Sequence, residues 1–205
     1  MKKSHTGIFL ALVLLGPMLY AAPLRVAVSD FTVYSDNPRL KYVGKGMAEM
    51  VAAELSSNKT LTLIDRNRRA ELLGELEFSL SEASSDENRL RLGELLAADL
   101  LLFGDIIDMD KNILVSCTLI RVETGETIWT DKRQGTLANY SSISRALAFS
   151  VLAALGQTTK AAIRKEAQVS DEKKEEAIIA FSGAVDALDR NDLAAARREI
   201  KKPHP

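Results

Sequence analysis

The sequence predicts a mixed α/β fold: one mixed sheet with helices packed on it, in the order β-α-β-α-α-β-β-β-α, followed by a C-terminal helical fragment. Three observations predict it. Short apolar runs near Leu24 and Leu61 alternate with segments of helical period, which implies parallel crossovers. Three apolar runs between Asp99 and Leu137 are separated only by turn-forming residues, which implies an antiparallel meander. After Gln168 the chain becomes charged and Ala-rich, unlike what precedes it.

The elements follow in order. Leu24 to Phe31, "LRVAVSDF", is a short apolar run with β-branched residues and reads as one strand. Tyr34 to Leu40 is loop by composition. From Tyr42 to about Ser57, Val43, Met47, Met50, Val51 and Leu55 recur at helical spacing and define one buried face. Leu61 to Asp65 is a second strand. A helix with Leu72, Leu73, Leu76 and Leu80 on one side follows, then a polar break over Ser81 to Asn88. The next helix spans Glu87 to Ala97, with Asp86 placed to cap it. Asp99 to Ile107 is apolar nearly throughout and reads as a strand covered on both faces. Turn chemistry at Asp108 to Asn112 leads to a strand over Ile113 to Val122. Gly125, free to take positive φ, then turns the chain into a more polar, edge-like strand over Thr127 to Leu137. A long Ala-rich helix runs from Tyr140 to about Lys165.

Residues 1–22 read as a cleaved export signal. Lys2 and Lys3 precede an apolar stretch from Gly7 to Leu19, and Tyr20-Ala21-Ala22 offers small residues for cleavage. The stretch is shorter than the roughly 20 residues a membrane-spanning helix needs. No cysteine stands at the cleavage region, so no lipid anchor is expected there. Residues 23–166 form the α/β domain, and residues 167–205 a charged linker with a helical fragment. In that fragment Ala184, Ala187, Asn191, Asp192, Ala196 and Ile200 fall near the small and apolar positions of a tetratricopeptide unit. One such unit cannot bury its own apolar face, so it must dock, meet a partner or stay partly unfolded.

Inventory excludes several functions. The two histidines, His5 and His204, lie at the extreme ends, and Cys117 is the single cysteine. A His-based triad, a zinc site and an intrachain disulfide have no residues to build them. A net charge of −1 and 5% aromatic content give no footprint for nucleic acid.

Candidate chemistry is sparse. Gly44-Lys45-Gly46 stands between a strand and a helix, where phosphates bind. A phosphate loop needs Gly at 39 and a hydroxyl at 46, but the chain has Arg39 and Gly46; the dinucleotide fingerprint needs Gly where Glu49 stands. Close packing explains the glycines better. Asp105, Asp108, Asp110 and Asn112 cluster as cation ligands would, yet a calcium loop begun at Asp108 needs Gly and Glu where Ile113 and Leu119 stand. A hairpin turn explains the cluster. Asp30 and Asp65 end strands and are expected to cap or pair locally. Arg66, Arg68 and Arg69 are expected to pair at the surface with Glu71, Glu75 and Glu77, at little gain in stability. Cys117 alternates in phase with Ile113, Val115 and Leu119, which predicts a buried, inert thiol. Trp129 packs or marks a contact surface. The apolar girdle from Ala146 to Leu155 predicts a helix buried on two sides, and self-association as a homo-oligomer. No catalytic, cofactor-binding or metal-binding residue, and no cofactor, is assigned.

Five motifs then fall in a recognisable order: "RVAVSDF" (25–31), "VGKGMAEMVAAEL" (43–55), "LTLIDRNRRAELLGELEF" (61–78), "LGELLAADLLLFGDI" (92–106) and "VSCTLIRVETGETIW" (115–129). Over about residues 24–155 the chain resembles the CsgG-like envelope proteins. These comprise the curli assembly and transport component, FlgO-type proteins and, more distantly, the TolB N-terminal domain and the penicillin-binding-protein activator LpoB. The resemblance implies an exported, non-enzymatic domain of the anticodon-binding-like type, periplasmic or associated with the outer membrane, working through protein contacts in assembly, secretion or regulation of envelope components. It also brings an alternative, a subunit of an outer-membrane secretion pore. Against that, the connections here are short and lack an inserted pair of long alternating strands. A second alternative is a carboxylate- or phosphate-dependent enzyme using Asp30, Asp65 or the Gly44–Gly46 segment.

Overall fold

A computed structural model describes residues 23–67, 86–157 and 171–201. The expected signal segment and the helix carrying Leu72 to Leu80 lie outside the described residues, as do Arg68, Arg69, Glu71, Glu75 and Glu77.

The described residues form a six-stranded mixed sheet: β1 (Leu24–Val28), β2 (Thr32–Tyr34), β3 (Leu61–Leu63), β4 (Leu100–Met109), β5 (Asn112–Arg121) and β6 (Thr127–Gly135). The main path runs β3-β1-β4-β5-β6, and β2 also pairs with β4. β1 is parallel to both β3 and β4, while β4, β5 and β6 are an antiparallel meander, so both expected modes of pairing are present. Helices α1 (Val43–Leu55) and α2 (Asp86–Leu95) lie in the crossovers. α3 (Tyr140–Ala154) follows the meander, and α4 (Asp171–Asp189) and α5 (Leu193–Lys201) close the described chain.

Two apolar layers flank the sheet. On one face Val43, Met47, Val51 and Leu55 of α1 and Leu147, Val151 and Leu152 of α3 pack on Val26, Leu100, Leu102, Val115, Cys117 and Leu119. On the other, Leu92 and Leu96, on α2 and just beyond it, cover Ala27, Leu101, Ile120 and Val122. The Arg89 guanidinium stands over the Phe103 ring at 4.1 Å, extending that cover with a cation–π contact. Of the five residues the periodicity assigns to the buried face of α1, Val43, Met47, Val51 and Leu55 are buried and Met50 is partly buried at the edge of the same core.

The structure corrects three expectations. The first strand is two. Val28 pairs with Leu102 and Thr32 with Asp105, so four steps on one strand match three on the other, a one-residue bulge at Ser29-Asp30-Phe31. The break lets the Phe31 N–H turn to the Gly44 carbonyl at 3.3 Å and drops the Phe31 ring into the core. β4 is covered on both faces only in its first half; Ile107 and Met109 are about 40% exposed. The long helix ends at Ala154 rather than near Lys165. Gly156 takes φ +70°, its N–H reaches the Ala153 carbonyl, and the Gln157 N–H reaches that of Leu152 at 2.8 Å. This is a Schellman stop, and Ala97 (φ 49°) and Asn191 (φ 57°) close α2 and α4 with the same pair of bonds. The expected burial of α3 on two sides is present, with the sheet on one side and α1 of the same chain on the other.

Candidate interaction site

The chemistry of the fold gathers where β1 and β3 end and α1 begins. Open parallel sheets commonly place their ligands at such carboxyl ends. Here that place is occupied by α4.

Local structure sets the platform. Gly44 and Gly46 lie in the first turn of α1, not in a loop. A Cβ on Gly44 would stand 1.9 Å from the Phe31 carbonyl oxygen, so only glycine lets the helix start against the bulge. A Cβ on Gly46 would stand 2.2 Å from Ser182 Oγ on α4. The glycine pair therefore serves close packing, as expected, but one of its two contacts is with the C-terminal helix rather than the sheet. The buried Tyr140 hydroxyl donates to the Val43 carbonyl and ties α3 to the same turn.

Between these glycines Lys45 points to α4. Its Nζ donates to Asp186 Oδ1 at 2.7 Å and to Asp189 Oδ2 at 2.9 Å. From the end of β3, Arg66 grips Asp189 with two parallel bonds, Nε to Oδ1 and Nη2 to Oδ2, each 2.7 Å. Its Nη1 lies 3.3 Å from Asp30 Oδ1 and 3.6 Å from Glu49 Oε2. Arg190 holds the remaining oxygen of Asp186 at 2.9 Å. The side chains of Lys45, Arg66, Asp186 and Asp189 are 8–16% exposed. Charge-assisted bonds in so dry a setting are stronger than surface pairs.

The electrostatics agree with the geometry. Burial disfavours the charge on Asp189, but the bonds from Arg66 and Lys45 outweigh it and hold the carboxyl below its ordinary value. Burial likewise opposes the Lys45 ammonium, and the bonds to Asp186 and Asp189 outweigh it, so its pKa is raised. Beside this network a crevice of about 620 Å³ runs between α1, β3 and α4, lined by the apolar Ala52, Leu63, Phe181 and Val185 and by the charged Glu49 and Arg66.

The other candidates are scattered. Asp65 accepts from the Asn67 N–H at 2.8 Å, a local cap as expected. Asp30 pairs instead with Arg66, 36 residues away. Arg66, expected to pair at the surface with following glutamates, is mostly buried and pairs across 123 residues. Asp108 accepts from Ser35 Oγ at 2.5 Å and from the Asp110 N–H at 3.1 Å, while Asp105 faces Ser116 at 3.4 Å. Met109 pairs with Asn112 across the β4–β5 turn, so this acidic cluster belongs to a hairpin. Among the described residues no group of acidic, His or Cys side chains is arranged to hold a metal ion. Cys117 is fully buried and its thiol is pushed up by burial. Trp129 is half-buried against the main core.

Sequence reasoning missed Asp186 and Asp189. Their signal was present: Asp186 lies with Ala184 and Ala187 on the buried part of α4, and Asp189 follows one turn later, partly buried. A charge on a buried stripe asks for a partner. The expected helix–turn–helix is present, with Ala184, Ala187 and Ala196 as its small core, and α4 docks on α1. Ile200, one of the positions matched to a tetratricopeptide unit, is 65% exposed.

Comparisons with known proteins place residues 45–134 of this chain in a match to the family model described as the peptidoglycan-synthase activator LpoB. No curated protein matches the chain. Among solved structures, the chain is similar to the LpoB C-terminal domain from Escherichia coli, at 18% identity and a TM-score of 0.47, over 60% of this chain and 89% of that one. It is also similar to a PelC dodecamer from Paraburkholderia phytofirmans, at 19% identity and a TM-score of 0.40, over 68% of this chain and 91% of that one. TolB from Acinetobacter baumannii aligns at 11% identity and a TM-score of 0.43, over 64% of this chain and 28% of that one.

Proposed function

We propose that this chain is a non-enzymatic, exported envelope protein that acts by binding other proteins, in the manner of an activator of peptidoglycan synthesis. The observation that carries the reading is the family match over residues 45–134, which begins at Lys45 and ends within β6. The geometry supports it. At the strand ends the charged groups Lys45, Arg66, Asp186 and Asp189 are satisfied by one another, an arrangement suited to holding a helix rather than turning over a substrate. Residues 1–22 would direct export to the periplasm, 23–166 would form the α/β domain and 167–205 the C-terminal helical fragment. The motif order that resembles the CsgG-like proteins is compatible with the same kind of work, assembly or regulation through contact, and homo-oligomers are part of the proposal.

The test is a paired one. The purified protein is cross-linked in envelope preparations, and a purified peptidoglycan synthase is assayed for glycan polymerisation with and without it. Cross-linking to the synthase and a faster rate are expected. An unchanged rate at saturating protein would overturn the activator reading, and ion conductance in planar bilayers would favour the pore subunit instead.

A further inference from the structure

The contact between α4 and the domain has the features of a receptor holding a ligand. Two cations from separate elements, Lys45 on α1 and Arg66 after β3, converge on two carboxylates one helical turn apart on α4. Arg66 meets Asp189 with the two-pronged geometry that selects a carboxylate. Gly46 removes the side chain that would hold α4 off, so the two helices approach closely beside the charges. The link between α3 and α4 is indirect in sequence: residues 158–170 separate Gln157 from Asp171.

We propose that the face formed by Lys45, Gly46 and Arg66 is a docking site for an acidic helix bearing two carboxylates three residues apart, and that α4 is its resident occupant, exchangeable for such a helix on a partner protein. The proposal rests on the reading of the chain as a protein-binding module, and adds to it the place and the chemistry of contact. Charge complementarity carries the choice of occupant. Every cation of the site faces a carboxylate, and a partner helix with the same Asp-x-x-Asp spacing reproduces each bond while α4 is released to water. A basic or apolar helix would leave Lys45 without the carboxylates it meets on α4 and Arg66 with only Asp30 and Glu49 of its own domain, so it would be disfavoured.

The experiment uses full-length protein and a labelled peptide of residues 171–201 as the probe, so it needs no knowledge of the natural partner. In the wild-type chain α4 competes and the peptide binds weakly. In the Asp186→Asn/Asp189→Asn chain the resident helix loses its grip, and the peptide is expected to bind about tenfold tighter or more, with affinity falling as salt rises. Adding Arg66→Ala to that chain, or placing the two Asn residues in the peptide, should return binding to the weak level. Protection of the Cys117 thiol from a water-soluble reagent reports whether the domain stays folded. A folded double variant that does not bind the peptide overturns the proposal. So does a double variant whose Cys117 becomes reactive throughout, because α4 would then be an integral part of the core. Neither result bears on whether the intact protein activates a synthase, so the two readings fail separately.

Discussion

Arg66 and Asp189 are 123 residues apart in sequence and share two parallel hydrogen bonds of 2.7 Å, at a site where each side chain is about 15% exposed. One turn of chain after β3 is thereby joined to the last turn of α4. Replacing Arg66 by Ala leaves Asp189, among the described residues, with Lys45 as its remaining cationic partner in a dry setting, and should weaken α4 docking by about 2–4 kcal/mol. Arg66→Lys should recover less than half of that, since an ammonium cannot make both bonds. Hydrogen exchange of the α4 amides reads the effect; protection equal to wild type in Arg66→Ala would show that apolar packing alone holds the helix.

The same network makes docking depend on pH at both extremes. Asp189 has a folded-state pKa below its unfolded value of 3.8. Its contribution is therefore fully present above about 3.8 and is lost as pH falls from there through the depressed value. Lys45 is raised above 10.5, so its contribution is full below that value and is lost as pH rises through the folded one. Docking should be flat across neutral pH and fall away on the acid side first. An Asp189→Asn chain should lose most of the acid step in α4 exchange, while the alkaline step persists through Asp186.

The two glycines of α1 should differ when changed to Ala. At Gly44 the new methyl meets the Phe31 backbone carbonyl at 1.9 Å, and neither the bulge nor the helix start can move alone. At Gly46 it meets the Ser182 side chain, with Oγ at 2.2 Å and Cβ at 3.1 Å, so a shift of α4 relieves it. Gly44→Ala should cost several kcal/mol, comparable to severe overpacking, whereas Gly46→Ala should cost about 1–3 kcal/mol, partly offset by the roughly 1 kcal/mol gain in helix propensity. Ser182→Gly should relieve the clash in the second variant, less the roughly 1 kcal/mol that glycine costs inside α4, and bring no relief to the first. Thermal melts of the four chains decide it, and rescue of Gly44→Ala by Ser182→Gly would contradict the geometry.

How far the sequence disclosed this arrangement follows from the range of the interactions. Val43, Met47, Val51 and Leu55 announced α1 because a helix repeats its buried face within a few residues, and Cys117 announced its burial by alternation along one strand. Gly125 announced its turn because positive φ is a local demand, met at φ +68°. The bulge after Val28 stayed hidden, since "LRVAVSDF" is equally consistent with one strand, and only pairing with β4 forces the extra residue out. Arg66 was misassigned to neighbouring glutamates for the same reason: its carboxylate is brought to it by tertiary packing across most of the chain. The early end of α3 was legible in principle. Gly156 is a helix stop, but the Ala-rich sequence around it argued for continuation.

That stop gives the cleanest single-site prediction. Gly156 adopts φ +70°, and a Cβ built there meets nothing within 4 Å. Gly156→Ala therefore creates no clash, and its whole effect is the cost of holding an L-residue in the left-handed region, about 1–2 kcal/mol. The bonds from the Gly156 and Gln157 N–H groups to the Ala153 and Leu152 carbonyls are the ones at risk, while Val151 and Leu152, one turn earlier, stay anchored in the core. The variant should fray the last turn of α3 and lower stability by that modest amount, with the Arg66–Asp189 network intact. Gly156→Asn should cost less than Ala, because Asn is the non-glycine residue that best tolerates the left-handed region. Equal melting points for the Ala and Asn variants would mean that the conformation at 156 relaxes when the glycine is lost.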